Sequence, residues 1–302
     1  PPPRPLPLIP PLTGEGGRRE LLPLSQAIRA IHFPETADEL KHAERRLKFD
    51  ELFILQLRAE MIRQSLKRSS APVMTFDEPA VRAFVASLPF QLTKDQKVAA
   101  WEILQDMQKP EPMNRLLAGD VGSGKTVVAA LASYCAVLNG FQVAIMAPTE
   151  ILAKQHYQSL CRLLGKKISI ALVTHSEFSI FNPFDKLRTS FQFSNNIDAQ
   201  RKRETKQKIV DGIVHVVIGT HALLSEGVQF KALGLVIVDE QHRFGVAQRK
   251  MIKEKSGSDG VTPHFLSMTA TPIPRSFALA IYGDLDLSII REMPPGRKPV
   301  KT

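Results

Sequence analysis

The eight residues GDVGSGKT, Gly119 to Thr126, have the types and spacing for polyphosphate chemistry. They fit the pattern G-x-x-x-x-G-K-[ST] in full. Gly119, Gly122 and Gly124 let the backbone curl, so that successive N–H groups around Ser123 can face one point. Those groups and a following helix N-terminus bind a phosphate without any cationic side chain. Lys125 adds a point charge for the β- and γ-phosphates, and the Thr126 hydroxyl can ligate Mg²⁺. More than a hundred residues later, LVIVDEQHRFG (235–245) runs four apolar residues into two carboxylates. Alone, an Asp-Glu pair could simply end a strand. Downstream of a phosphate loop it has a second use: Asp239 to hold Mg²⁺ through its water shell, and Glu240 to orient and deprotonate an attacking water.

Such residues need rigid elements to present them. Apolar runs suited to buried strands are NRLLAG (114–119), FQVAIMA (141–147), ISIALVT (168–174), IVHVVIG (213–219), LGLVIVD (233–239) and HFLSMTA (264–270). Amphipathic stretches long enough for crossover helices lie between most of them. Short β-branched runs alternating with helices predict a parallel sheet buried on both faces, doubly wound, with ligands at the carboxyl ends of its strands. The phosphate loop follows the first of these runs and opens TVVAALASYCAVL, the strand–loop–helix setting that the motif requires.

Around this domain the chain changes character. Residues 1–20 are rich in Pro and Gly and read as a linker. Residues 21–75 read as a helical segment, with Thr36 and Glu39 at capping-box spacing and an apolar stripe through Leu40, Leu47, Leu52, Leu55 and Leu57. The α/β domain then occupies 76–302, interrupted at 175–197 by an unpatterned polar-aromatic stretch that reads as an inserted surface loop. DAQRKRETKQK after it is a charge run that reads as a solvated helix face, with contact to nucleic acid as the alternative.

Composition sets the outer bounds. The 302 residues carry 40 Lys+Arg against 30 Asp+Glu, a net charge of +10 that suits a polyanionic partner. Two cysteines make neither a disulfide framework nor a four-ligand zinc site, which points to a reduced, cytoplasmic setting. No apolar run approaches the ~20 residues that span a bilayer. The chain starts without Met, so a fragment is expected, and nothing in it demands more than a monomer.

Phosphate loop, Asp-Glu-x-His and TAT, in this order, resemble the superfamily 2 helicases and translocases. The joint occurrence of RAIHFP, GDVGSGKT, DEQHRFG, MTATPIPR and YGDLDLSIIREMPPGRKPVKT is similar to the RecG family in particular. That resemblance runs from about Leu21 to Thr302. It implies a RecA-like P-loop lobe that works with ATP and Mg²⁺ on forked or branched duplex DNA. Transcription-repair coupling factors share HRFG and TATPIPR but typically carry Glu where Gln241 stands.

The resemblance also implies residue roles. LPFQLTKDQ would read adenine, with Gln96 on the base and Phe90 packed near it. Gln96 is equally placed to close a capping box with Thr93. Gln241 and His242 would join Asp239 and Glu240 in the hydrolytic motif, with His242 linking it to Thr269, Ala270 and Thr271. Pro148, Thr149, Thr220, His221 and Arg275 would contact nucleic acid, although His221 also suits a structural histidine and Arg275 a surface salt bridge. In the family a second lobe supplies an arginine from across the cleft, and a wedge domain splits the fork; both are expected outside these residues. Two other readings remain: a nucleic-acid-binding module with an idle ATP site, and a P-loop enzyme of another class such as a nucleotide kinase, against which TATPIPR argues.

Overall fold

The apolar runs expected to be strands form the centre of one sheet. The computed structural model describes residues 21–67, 69–165, 168–181, 198–220, 223, 228–240, 261–270 and 285–294. Its strands are β1 (Asn114–Gly119), β2 (Gln142–Met146), β3 (Ile170–Val173), β4 (Phe178–Phe181), β5 (Val216–Gly219), β6 (Leu233–Asp239), β7 (His264–Thr269) and β8 (Asp286–Ile290). They lie in the order β4-β3-β5-β2-β6-β7-β1-β8. All neighbours are parallel except β3 and β4.

Alternation along each strand divides the core in two. Leu117, Val143, Ile145, Leu235 and Ile237 face one layer, where α3 (Glu78–Ala86), α4 (Lys94–Met107), α5 (Lys125–Leu138) and α6 (Glu150–Leu164) cover them. Leu116, Ala144, Met146, Val236 and Val238 face the other, with Ile209 of α7 (Asp198–Val210). Burial on both faces explains why the strands read as unbroken apolar runs rather than alternating ones. A buried amide closes the base of the sheet. Gln142 donates to the carbonyls of Ile209 and Val214 and accepts from the N–H groups of Lys231 and Ala232. All four of its hydrogen-bonding positions are thereby used.

Two strands differ from the sequence reading. Phe178–Phe181 fell within the stretch read as a loop, yet it pairs antiparallel with β3, and Phe178 and Ile180 pack on the second core layer. Asp286–Ile290 pairs parallel with β1 at the far side of the sheet. The rest of the 175–197 stretch lies outside the described residues.

The described residues divide into two compact units, one ending at Arg58 and one beginning at Ala59. The division falls inside α2 (Ala37–Lys67), which follows α1 (Leu24–His32). Ala27, Ala30 and Ala43 form the small core of the first unit. At the start of α2, the Glu39 N–H donates to Thr36 Oγ1, while the Glu39 carboxylate accepts from the Glu35 N–H, one residue earlier than a capping box requires. The expected stripe is only partly covered: Leu52, Leu55 and Leu57 are exposed. No helix among the described residues is long and apolar enough to cross a membrane.

Candidate nucleotide site at the carboxyl edge of the sheet

Strand order brings the sequence motifs together. β1 delivers the phosphate loop, β6 delivers Asp239 and Glu240, and β7 lies between them. Ala118 is in register with Thr269, and Asp239 with Met268. With neighbouring strands about 4.8 Å apart, the carboxylates and the loop are separated by roughly 10 Å, room for a polyphosphate between them. Thr269 ends β7 in that gap, with Ala270 just beyond it. Further along the same edge, Pro148 and Thr149 follow β2, and Thr220 follows β5. Pro148 and Thr149 are exposed, and the Thr149 hydroxyl caps α6 by accepting from the Leu152 N–H. Gln241, His242, His221, Thr271 and Arg275 lie outside the described residues.

The loop itself is held in the shape its glycines permit. Gly122 and Gly124 adopt φ of 81° and 89°, and α5 starts directly after Gly124. A Cβ on Gly124 would lie 2.2 Å from Gln96 Nε2. That amide is a strut: Nε2 donates to the Ser123 carbonyl at 2.8 Å, and Oε1 accepts from the Thr93 N–H at 2.9 Å. The Gln96 N–H completes the capping box on Thr93 Oγ1. Gln96 is buried, so both ends of its amide serve the protein in this conformation, while Phe90 stands exposed.

The charges in the loop fit an oxyanion. Lys125 Nζ donates to the carbonyls of Gly119 and Asp120 at 2.6 and 3.0 Å, which leaves one of its three donors. Burial pushes its ammonium below the usual lysine range, while Asp239, Glu240 and Asp120 pull the other way. Ser123 Oγ is buried without a partner among the described residues, an orphan donor inside the loop. Those residues hold no group of three or more His, Cys, Asp or Glu side chains that would bind a metal by themselves. A cation beside Asp239 would take phosphate oxygens and water into its shell, as Mg²⁺ does.

Glu240 has φ of 56°, the one non-glycine residue with positive φ among those described. Its N–H donates to the Met268 carbonyl at 3.0 Å, which fixes the strained backbone to β7. Strain of this kind costs about 1–3 kcal/mol and collects at functional sites. His156 was not singled out from the sequence. Its Nε2 lies 2.7 Å from Asp239 Oδ2, with both side chains mostly buried. The available signal was helical phase: His156 borders the apolar stripe Ala153, Tyr157, Leu160 and Leu164 that seats α6 on the sheet.

At the same N-terminal end of α4 that carries Gln96, the chain leaving β8 grips the helix. The Asp95 carboxylate accepts from the N–H groups of Arg291 and Glu292, and the Glu292 carboxylate accepts from those of Lys94 and Asp95. The first pair of bonds holds the Asp95 carboxyl below its usual range. A cavity of about 330 Å³ lies beside this clasp, lined by Gln91, Leu92, Thr93, Glu292 and Met293.

A parallel sheet with a phosphate loop on one strand and an Asp-Glu pair two strands away defines a RecA-like P-loop lobe of helicase type. The chain belongs to the DEAD/DEAH box helicase family, whose profile matches residues 93–279. It is 46% identical over 284 residues to the ATP-dependent DNA helicase RecG of Streptococcus pneumoniae, covering 94% of this chain and 39% of that one. It is 44% identical to RecG of Bacillus subtilis over 92% of this chain and 37% of that one. A solved structure of RecG bound to a three-way DNA junction matches with a TM-score of 0.75 and 43% identity, over 93% of this chain and 35% of the other. The chain thus spans well under half the length of these relatives.

Proposed function

We propose that this chain is the ATP-binding lobe of a RecG-type DNA helicase acting on forked or branched DNA. The observation that carries the reading is the placement of Glu240 and Asp239 across β7 from the phosphate loop, on the edge that also carries Pro148, Thr149 and Thr220. ATP is the substrate. Backbone N–H groups of the loop and Lys125 hold its β- and γ-phosphates, and Glu240 orients water and takes its proton. Thr126 and Asp239 would hold Mg²⁺, which when bound neutralises charge on the phosphate oxygens. Thr269 and Ala270, in the gap between loop and carboxylates, carry changes at the γ-phosphate toward the nucleic-acid end of the edge. That end lies roughly 19 Å from β1, counting four strand spacings of about 4.8 Å. Contacts there are to DNA phosphates, which hold a strand without reading its sequence.

The lobe provides half of the hydrolytic site, and the resemblance assigns an arginine of a second lobe to the other half. Arginine fingers are worth about 10³–10⁵ in rate. This chain by itself is therefore expected to bind ATP weakly and to turn it over slowly or not at all. The test is ATPase activity of the full-length protein with forked, duplex and single-stranded DNA, beside Glu240→Gln. Stimulation by forked DNA that Glu240→Gln abolishes is the expected result. Activity indifferent to every DNA would remove the helicase reading. Turnover by this chain alone at the full-length rate would remove the divided site.

A further inference from the structure

A carboxylate can only accept hydrogen bonds, so the 2.7 Å contact fixes a proton on His156 Nε2 and aims it at Asp239 Oδ2. Asp239 Oδ2 thereby accepts from His156, and among the described residues Oδ1 is open to the water shell that Mg²⁺ would bring. The donor is not free to drift. α6 is seated on the sheet through Ala153, Tyr157, Leu160 and Leu164, and capped at Thr149. Its outer side is tied to the β3–β4 turn by Lys154 to Glu177 at 2.8 Å and by Glu150 to Ser176. The same helix therefore begins at the exposed Pro148-Thr149 end of the edge and, two turns later, fixes the orientation of the metal-side carboxylate.

We infer that His156 is a positioning residue: it orients Asp239 for Mg²⁺ and joins the α6 N-terminus to the nucleotide site. The inference deepens the ATP-site reading above and rests on it. Groups that orient a metal-binding carboxylate are typically worth about 10–100-fold in metal affinity. A side chain that merely packs α6 would instead weaken nucleotide binding with or without metal.

The experiment is binding of a fluorescent ADP to this chain, in EDTA and across a Mg²⁺ titration. It compares wild type with His156→Leu and His156→Met, which lack the donor, and with His156→Gln, which presents an amide N–H at similar reach. The donor-less variants are expected to raise the Mg²⁺ midpoint about 10-fold or more while leaving ADP affinity in EDTA unchanged. His156→Gln is expected to recover most of the loss. Either donor-less variant suffices if the other does not fold. An unshifted Mg²⁺ midpoint overturns the inference, as does equal weakening of ADP binding with and without Mg²⁺. Wild-type protein whose ADP binding ignores Mg²⁺ overturns the ATP-site reading, and this inference with it.

Discussion

The sharpest quantitative consequence of the loop geometry concerns Gly124 and Gln96. Gly124→Ala places a Cβ 2.2 Å from Gln96 Nε2, well inside any allowed contact, at a φ of 89°. Left-handed backbone costs an alanine about 1–2 kcal/mol. The amide must also leave, breaking its bonds to the Ser123 carbonyl and the Thr93 N–H. At about 1 kcal/mol net for each bond, the substitution destabilises the lobe by about 3–4 kcal/mol. That is less than the 5–15 kcal/mol typical of a domain, so the variant stays folded. Gln96→Ala loses the same two bonds, about 2 kcal/mol. In that background Gly124→Ala has nothing left to strike, and only the backbone cost of about 1–2 kcal/mol remains. The double-mutant cycle should therefore show a coupling of about 2 kcal/mol, the double variant being more stable than the sum of the single changes allows. Urea unfolding can be followed by the single tryptophan, Trp101, which sits on α4 with Gln96. If Gly124→Ala costs the same in both backgrounds, Gln96 does not brace the loop and the reasoning fails.

Two further predictions follow from polar groups away from the loop. His264 accepts from the Met113 N–H at Nδ1 and donates to the Pro72 carbonyl from Nε2, so it is held neutral; burial lowers its pKa, and that of His215 as well. Both folded values lie below the unfolded value of about 6.5, so on acidification the unfolded chain binds protons first. Stability from denaturant midpoints should be level above about pH 7.5 and fall as pH drops through 6.5 toward the folded values; a rise across that window would contradict the assignment. The clasp is testable by amide exchange: Asp95→Ala should speed exchange at Arg291 and Glu292, and Glu292→Ala at Lys94 and Asp95, by about 5-fold or more. Unchanged exchange at all four amides would mean that the clasp holds nothing.

Much of the architecture was legible because its signals are local. NRLLAG and LGLVIVD coincide with β1 and β6 to the residue, since the middle of a strand buried on both faces is a run of apolar residues and polar ones mark its ends. The phosphate loop was legible for the same reason: its donors are consecutive residues. β4 and β8 escaped because their polar residues, in FSIF and DLSII, break the apolar run, and because pairing with β3 and β1 rather than composition makes them strands. The bracing role of Gln96 could not be read from sequence, since it depends on a carbonyl 27 residues away. His156 meets Asp239 across 83 residues, and no spacing rule spans that distance.

The backbone of Glu240 bears on any attempt to make this protein more robust. Glycine tolerates φ of 56° without cost, and glutamate does not. As far as the main chain is concerned, selection for heat resistance alone would favour Glu240→Gly, discarding the group proposed to activate water. Stabilising this lobe and keeping it active are thus opposed objectives at that position, and a screen has to score turnover beside melting temperature.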